Sequence, residues 1–135
     1  MPRLTPAEAL AKLPGPEGKR FVTLFEHGSL LVEIYAPRGR DPQQPHTRDE
    51  VYFVIAGHGT FVEGDRRYPF APGDFLFVRA GVIHRFEDFN DDLAVWVLFY
   101  GPRAARSPKR APQFDNYPRD QRPQVAATVQ PFFAS

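Results

Sequence analysis

Gln44-Pro45-His46-Thr47-Arg48-Asp49-Glu50 runs directly into the apolar segment Val51-Tyr52-Phe53-Val54-Ile55. In extended chain, side chains alternate faces, so residues 44, 46, 48, 50 and 52 share one side. Pro45 biases Gln44 toward extended geometry. Gln44, His46 and Glu50 are therefore expected to point into one space, with Arg48 beside them. A second histidine, His84, follows the turn Pro72-Gly73-Asp74 and the strand-like Phe75-Leu76-Phe77-Val78. Two imidazoles and one carboxylate, supplied by neighbouring strands, form a donor set that leaves positions open on a metal ion. The competing reading is a pair of core histidines satisfied by hydrogen bonds to Glu50.

Outward from this stretch, the chain reads as short strands separated by turn signals. Arg20–Phe25 and Leu30–Tyr35 flank His27-Gly28, which resembles a hairpin turn and makes His27 an exposed turn residue. Pro37 to Pro45 is a polar, proline-rich loop that delivers the chain to His46. Gly57-His58-Gly59 is a bend, and His58 between glycines is expected in solvent. Thr60–Val62 and Arg67–Phe70 flank Gly64-Asp65. Pro72-Gly73 suits the centre of a type II turn before a strand from Asp74 to Val78. His84–Phe89 is a further strand. Leu93–Tyr100, the longest apolar run, is expected as a central strand covered on both faces. This predicts about nine short strands. Ahead of them, Thr5-Pro6-Ala7-Glu8 is a helix start with a cap, a first-turn proline and a capping-box glutamate. The helix is expected over 5–13, with Ala7, Leu10 and Leu13 inward.

Composition bounds the possibilities. At 135 residues the chain is expected to form one domain, 1–135, with a core at about 20–100. Fifteen prolines and ten glycines suit many turns better than long helices, and 13 Phe with 5 Tyr supply large buried surfaces. Regular short strands of this kind argue an all-β sandwich or barrel. The formal charge of +1 gives no nucleic-acid signature. The absence of cysteine removes disulfides, thiolate ligands and cysteine nucleophiles. No apolar run approaches the ~20 residues that span a bilayer, so no membrane partner is expected and the cytoplasm is the default compartment.

From residue 101 the pattern changes. Residues 101–135 contain six prolines, and 101–122 carry six basic residues against two acids. Such blocks are solvated tails as a rule. Phe114, Tyr117, Phe132 and Phe133 instead lead us to expect an extension that wraps its own barrel or a neighbouring subunit.

The two histidine segments resemble the motifs of the cupin superfamily, across roughly residues 30–100. In the first motif Gly39 precedes loosely, Gln44 stands in the first-histidine position, and His46 and Glu50 follow. Gly57 closes it. In the second, Gly73 is followed by Arg79 in a proline position, Gly81, His84, and Asp88 in an asparagine position. The resemblance implies a double-stranded β-helix (jelly-roll) barrel with a short N-terminal helix and an irregular C-terminal extension. It implies a divalent transition metal (Fe, Mn, Zn or Ni) held by His46, Glu50 and His84. Gln44 would be either a fourth ligand or a hydrogen-bond donor to substrate. Arg48 shares that face and could clamp an anionic group, or could pair with a nearby acid. The aromatic residues Tyr52, Phe75, Phe77, Phe86 and Trp96 are expected as core or cavity wall, leaving room for a small molecule. Three functions fit: a metal-dependent dioxygenase or isomerase/lyase on a small, anionic molecule; a non-catalytic ligand-binding barrel; and a structural or regulatory cupin. A homodimer is expected in each case.

Overall fold

The computed structural model describes residues 3–103, so the expected extension beyond 103 lies outside the described residues. Among these residues one α-helix, a 3-10 turn at Pro16–Gly18 and eight strands follow: α1 (Pro6–Leu10), β1 (Phe21–His27), β2 (Leu30–Tyr35), β3 (Asp49–Ala56), β4 (Gly59–Glu63), β5 (Arg66–Phe70), β6 (Phe75–Val78), β7 (His84–Glu87) and β8 (Ala94–Tyr100). Two antiparallel sheets result, a five-stranded β1-β2-β8-β3-β6 and a three-stranded β5-β4-β7. They face each other across one apolar core, the double-stranded β-helix arrangement.

Register decides which residues face inward. Glu33 on β2, Val97 on β8 and Tyr52 on β3 lie directly opposite one another, as do Leu31, Phe99 and Glu50. Glu50 and Tyr52 in turn oppose Val78 and Leu76 on β6. These rows form one face of the large sheet. In the small sheet Phe61 pairs with both Tyr68 and Phe86, and Glu63 pairs with His84. The interior is therefore Tyr52, Val54, Phe61, Phe86, Leu76 and Val95, all buried. Aromatic rings in it meet edge-on, with Tyr52 and Phe86 centroids 5.0 Å apart.

Several expectations shift. The helix stops at Leu10, three residues early. Thr5 caps it as expected, accepting from the Glu8 amide at 3.2 Å. Its buried residue is Ala9, with Ala7 exposed, because one and a half turns present a single contact point rather than a stripe. Strand β7 ends at Glu87 because Asp88 takes a left-handed backbone, φ 52°, which a short polar side chain tolerates. Phe75, Phe77 and Trp96 do not line the cavity. They alternate with inward residues, so they sit on the outer face of the large sheet, where Phe75 is 47% exposed. The strand β8 is central, between β2 and β3. Val95 and Val97 on its inner face are buried, and Trp96 and Leu98 on its outer face are only half-buried. Among the described residues no helix is long and apolar enough to cross a membrane.

Candidate metal centre

His46 comes from the loop before β3, Glu50 from the start of β3, and His84 from the start of β7. One donor atom from each lies within 4.8 Å of the others. The two histidine segments are held together by backbone. The Gly81 amide donates to the His46 carbonyl at 2.7 Å, and the Ala80 amide to Asp49 Oδ1 at 3.0 Å. Thus the turn before His84 is pinned to the turn before Glu50. Asp49, next to Arg48 in the chain, serves this backbone contact.

Glu50 is 1% exposed and His84 is 2% exposed. His84 Nε2 lies 3.0 Å from Glu50 Oε1, but the approach is not that of a hydrogen bond. Both Glu50 oxygens and His84 Nε2 are left without hydrogen-bond partners among the described residues. A buried carboxylate without partners costs several kcal/mol, on the order of the penalty for one desolvated ion. The buried Glu50 and His84 donors, gathered with the half-buried His46 Nε2, are what a bound cation would satisfy, so the residues present fit a divalent metal.

The surroundings act differently on the two imidazoles. His84 Nδ1 donates to the Val82 carbonyl at 2.9 Å, which keeps Nε2 free for coordination. Burial works against a charged His84, but the Glu50 carboxylate and the Val82 carbonyl outweigh it and raise its pKa. For His46 burial wins over Glu50, and its pKa is lowered, which favours the neutral ligand form. His46 Nε2 stands 3.8 Å from Glu50 and its ring packs edge-on against Phe99 at 4.8 Å.

Gln44 and Arg48 do not follow the parity of the sequence, because β3 begins only at Asp49 and residues 42–48 are loop. Gln44 is exposed at the cavity rim. Its neighbour Gln43 turns inward instead. Gln43 Oε1 accepts from the Tyr52 hydroxyl at 2.8 Å and lies 3.4 Å from His46 Nε2. Gln43 Nε2 donates to Asp41 Oδ2 at 2.7 Å. Asp41, buried, also accepts from the Tyr35 hydroxyl and from the Phe86 amide at 2.8 Å. The Arg48 guanidinium donates to the Ser29 carbonyl at 2.8 Å and lies 6.0 Å from the Phe99 ring centroid. It does not line the cavity described next.

A cavity of about 640 Å³ opens onto Glu50 and His46. Its apolar wall includes Phe21, Val97 and Phe99. Glu33, on the same inward face as Tyr52, adds a second carboxyl. Burial, then the like charge of Glu50, pushes the Glu33 carboxyl up to about 7, with Thr23 and Arg48 partly offsetting. Gln43, Asp41 and Glu33 had no motif to announce them. The one available signal was a carboxylate in an otherwise apolar strand, Leu30-Leu31-Val32-Glu33-Ile34-Tyr35.

Comparison with known proteins agrees with this fold. The family described as Cupin domain matches residues 31–100, just over half the chain. An uncharacterized protein of Streptomyces coelicolor is 41% identical over 86 residues, 62% of this chain and 82% of the relative. Among solved structures, an RmlC-like cupin with a double-stranded β-helix fold from Methanocaldococcus jannaschii superposes with a TM-score of 0.52. Its identity is 20%, over 64% of this chain and 84% of its own. A Cupin 2 conserved barrel domain protein from Salinispora arenicola gives 0.52 at 17%, over 60% and 74%. A protein from Neisseria meningitidis gives 0.60 at 14%, over 74% and all of its own chain. At such identities the structural likeness speaks for the fold, and together with the family match over 31–100 it establishes that this chain belongs to the cupin family.

Proposed function

We propose that this cupin binds one divalent transition metal (Fe, Mn, Zn or Ni) through His46, Glu50 and His84, and acts as a metal-dependent enzyme on a small molecule held in the adjoining cavity. The observation that carries the reading is the orphaned donor set: both Glu50 oxygens and His84 Nε2 buried without hydrogen-bond partners among the described residues, with Glu50 and His46 opening onto about 640 Å³ of space. When bound, a metal at three protein donors supplies a Lewis acid with open positions. The chain's own residues then have distinct tasks. Gln43, held by Asp41, orients His46 and Tyr52. Tyr52 is kept protonated by burial and by Glu50, so its hydroxyl stays a donor. Phe21, Val97 and Phe99 exclude water from one side of the bound molecule.

Glu33 favours catalysis over a purely structural metal. Burial alone lifts a carboxyl on this wall toward neutral pH, whatever the charge on Glu50, so Glu33 can hold or release a proton there, as a general acid or base must. A metal that only braced the barrel would need no such group in the cavity.

The test is metal content. Protein expressed in metal-supplemented medium should carry about one metal per chain by elemental analysis, and added metal should raise the unfolding temperature of chelator-treated protein. His84→Ala and His46→Ala should each abolish both effects. Glu50→Gln should weaken binding by 10-fold or more, on the scale of charge-assisted contacts. Wild type free of metal under these conditions sinks the proposal.

A further inference from the structure

The cavity has a strongly basic rim that the metal centre does not use. Arg20, Arg38 and Arg40 line it, with Lys19 alongside, against the two carboxylates Glu33 and Glu50 deeper in. Lys19 is engaged at 3.9 Å by Glu17. None of the three arginines has a carboxylate within salt-bridge distance among the described residues. Two of them are instead oriented by neutral groups. Arg20 Nε donates to the Ala36 carbonyl at 2.8 Å, and Arg38 Nη1 donates to the Asp91 carbonyl. A guanidinium fixed by a carbonyl keeps its full charge and its remaining N–H donors, whereas one fixed by a carboxylate is neutralised. The two are also close enough to oppose each other's charge: burial first, and Arg38 second, lowers the pKa of Arg20. Like charges held together without a counter-ion are costly in the free protein, and an incoming anion relieves that cost.

We infer that Arg20, Arg38 and Arg40 form an anion subsite at the cavity mouth, and that the molecule this cavity takes is a small organic oxyanion with an apolar body. The oxyanion, a carboxylate or phosphate ester, meets the guanidinium forks, which match paired oxygens. The apolar body lies along Phe21, Val97 and Phe99, which line the same space. This names the substrate class of the proposed metal site and rests on that reading for its catalytic meaning. The subsite itself needs no metal. Arg48, the residue whose parity suggested an anion clamp, is tied to Ser29 and is not part of it.

Isothermal titration of the full chain with benzoate, phenyl phosphate and benzamide tests the subsite, in both chelator-treated and metal-loaded protein at low salt. Benzoate or phenyl phosphate should bind the chelator-treated protein at least tenfold more tightly than the neutral benzamide. The tighter of the two identifies the headgroup. Arg38→Gln and Arg40→Gln change exposed side chains and should fold normally. Combined, they should weaken anion binding about tenfold, leave benzamide unaffected and leave metal content unchanged. Equal binding of benzoate and benzamide, no anion binding, or anion binding that ignores both substitutions overturns the inference. Because metal content is read separately, loss of anion binding with metal retained discards the subsite alone. Anion binding by protein that takes up no metal even when metal is supplied discards only the centre.

Discussion

Asp41 shows how a single side chain can carry a site without touching its ligand. Its carboxylate gathers the Tyr35 hydroxyl, the Gln43 amide and the Phe86 backbone N–H, so it joins the loop after β2 to strand β7. Through Gln43 it reaches Tyr52 and His46. Asp41→Ala would strand these donors in a buried place, at about 2–4 kcal/mol by the usual cost of unpaired polar groups. We expect a lower unfolding temperature and weaker metal affinity together, with Asp41→Asn recovering part of both. A normal metal affinity in a destabilised Asp41→Ala would remove its positioning role. Glu33 makes a second prediction at this scale. Its folded pKa lies near 7, above the 4.5 of an ordinary glutamate. Between those values the folded state holds a proton that the unfolded chain has lost, so stability falls as pH rises from about 4.5 through 7. Glu33 is partly open to solvent, so the loss is on the order of 1–2 kcal/mol. Chelator-treated Glu33→Gln should lack this slope, as urea unfolding at several pH values would read. At residue scale the sequence displayed Glu50 and His84, which stand at the starts of regular strands, and His46, which lies only four residues before Glu50. It misplaced Gln44 for Gln43 and left out Asp41, because parity has no meaning in the irregular loop that carries them.

At the scale of elements, turn chemistry did most of the work. The Pro72-Gly73 turn closes as expected: the Asp74 amide donates to the Ala71 carbonyl at 3.1 Å, and Gly73 takes φ 91°. The strands between such turns were legible from their apolar residues, and the observed eight compare with about nine expected. What spacing could not assign was the face that each aromatic residue occupies in the paired sheets. Phe75, Phe77 and Trp96 went to the wrong side for that reason. Gly57 shows a motif position with a steric cause. A Cβ there would stand 2.6 Å from Leu93 Cα, and the residue takes φ 101°. Backbone cannot yield as a flexible side chain does, so Gly57→Ala should cost more than about 2 kcal/mol, strain and clash combined. The link between β3 and β4 passes against Leu93 there, so the damage should spread to the core that Leu93 fills. An equilibrium unfolding curve unchanged by Gly57→Ala would show that the chain relaxes around the contact. His58, beside it, is exposed and its amide donates to Asn90 Oδ1 at 3.0 Å, in keeping with a solvated bend.

For the whole molecule, the outer face of the five-stranded sheet poses the remaining question of assembly. Ile34 and Val51 on that face are buried, Trp96 and Leu98 are half-buried, and Phe53 and Phe75 are 40% and 47% exposed. Along the cross-strand row Ile34, Trp96, Phe53 and Phe75 exposure thus rises toward β6, an edge strand whose outward backbone groups lack a partner strand in the sheet. The rings of Phe53 and Phe75 pack together at 5.4 Å, making one apolar patch beside that edge. Exposed aromatic surface next to an edge strand is unfavourable for an isolated barrel and suits pairing with a like surface. A second copy related by a two-fold axis would bring the same patch to itself, so a homodimer is the expected state. The aromatic residues Phe114, Tyr117, Phe132 and Phe133 lie outside the described residues and add nothing to this argument. Light scattering at tens of micromolar should give twice the chain mass, and Phe53→Lys with Phe75→Lys should shift it toward the monomer. Both positions are solvent-facing and distant in register from Glu50, so the doubly substituted protein should keep its fold and its metal content. A monomeric wild type rules the dimer out. A dimer that survives both lysines moves the interface to another face.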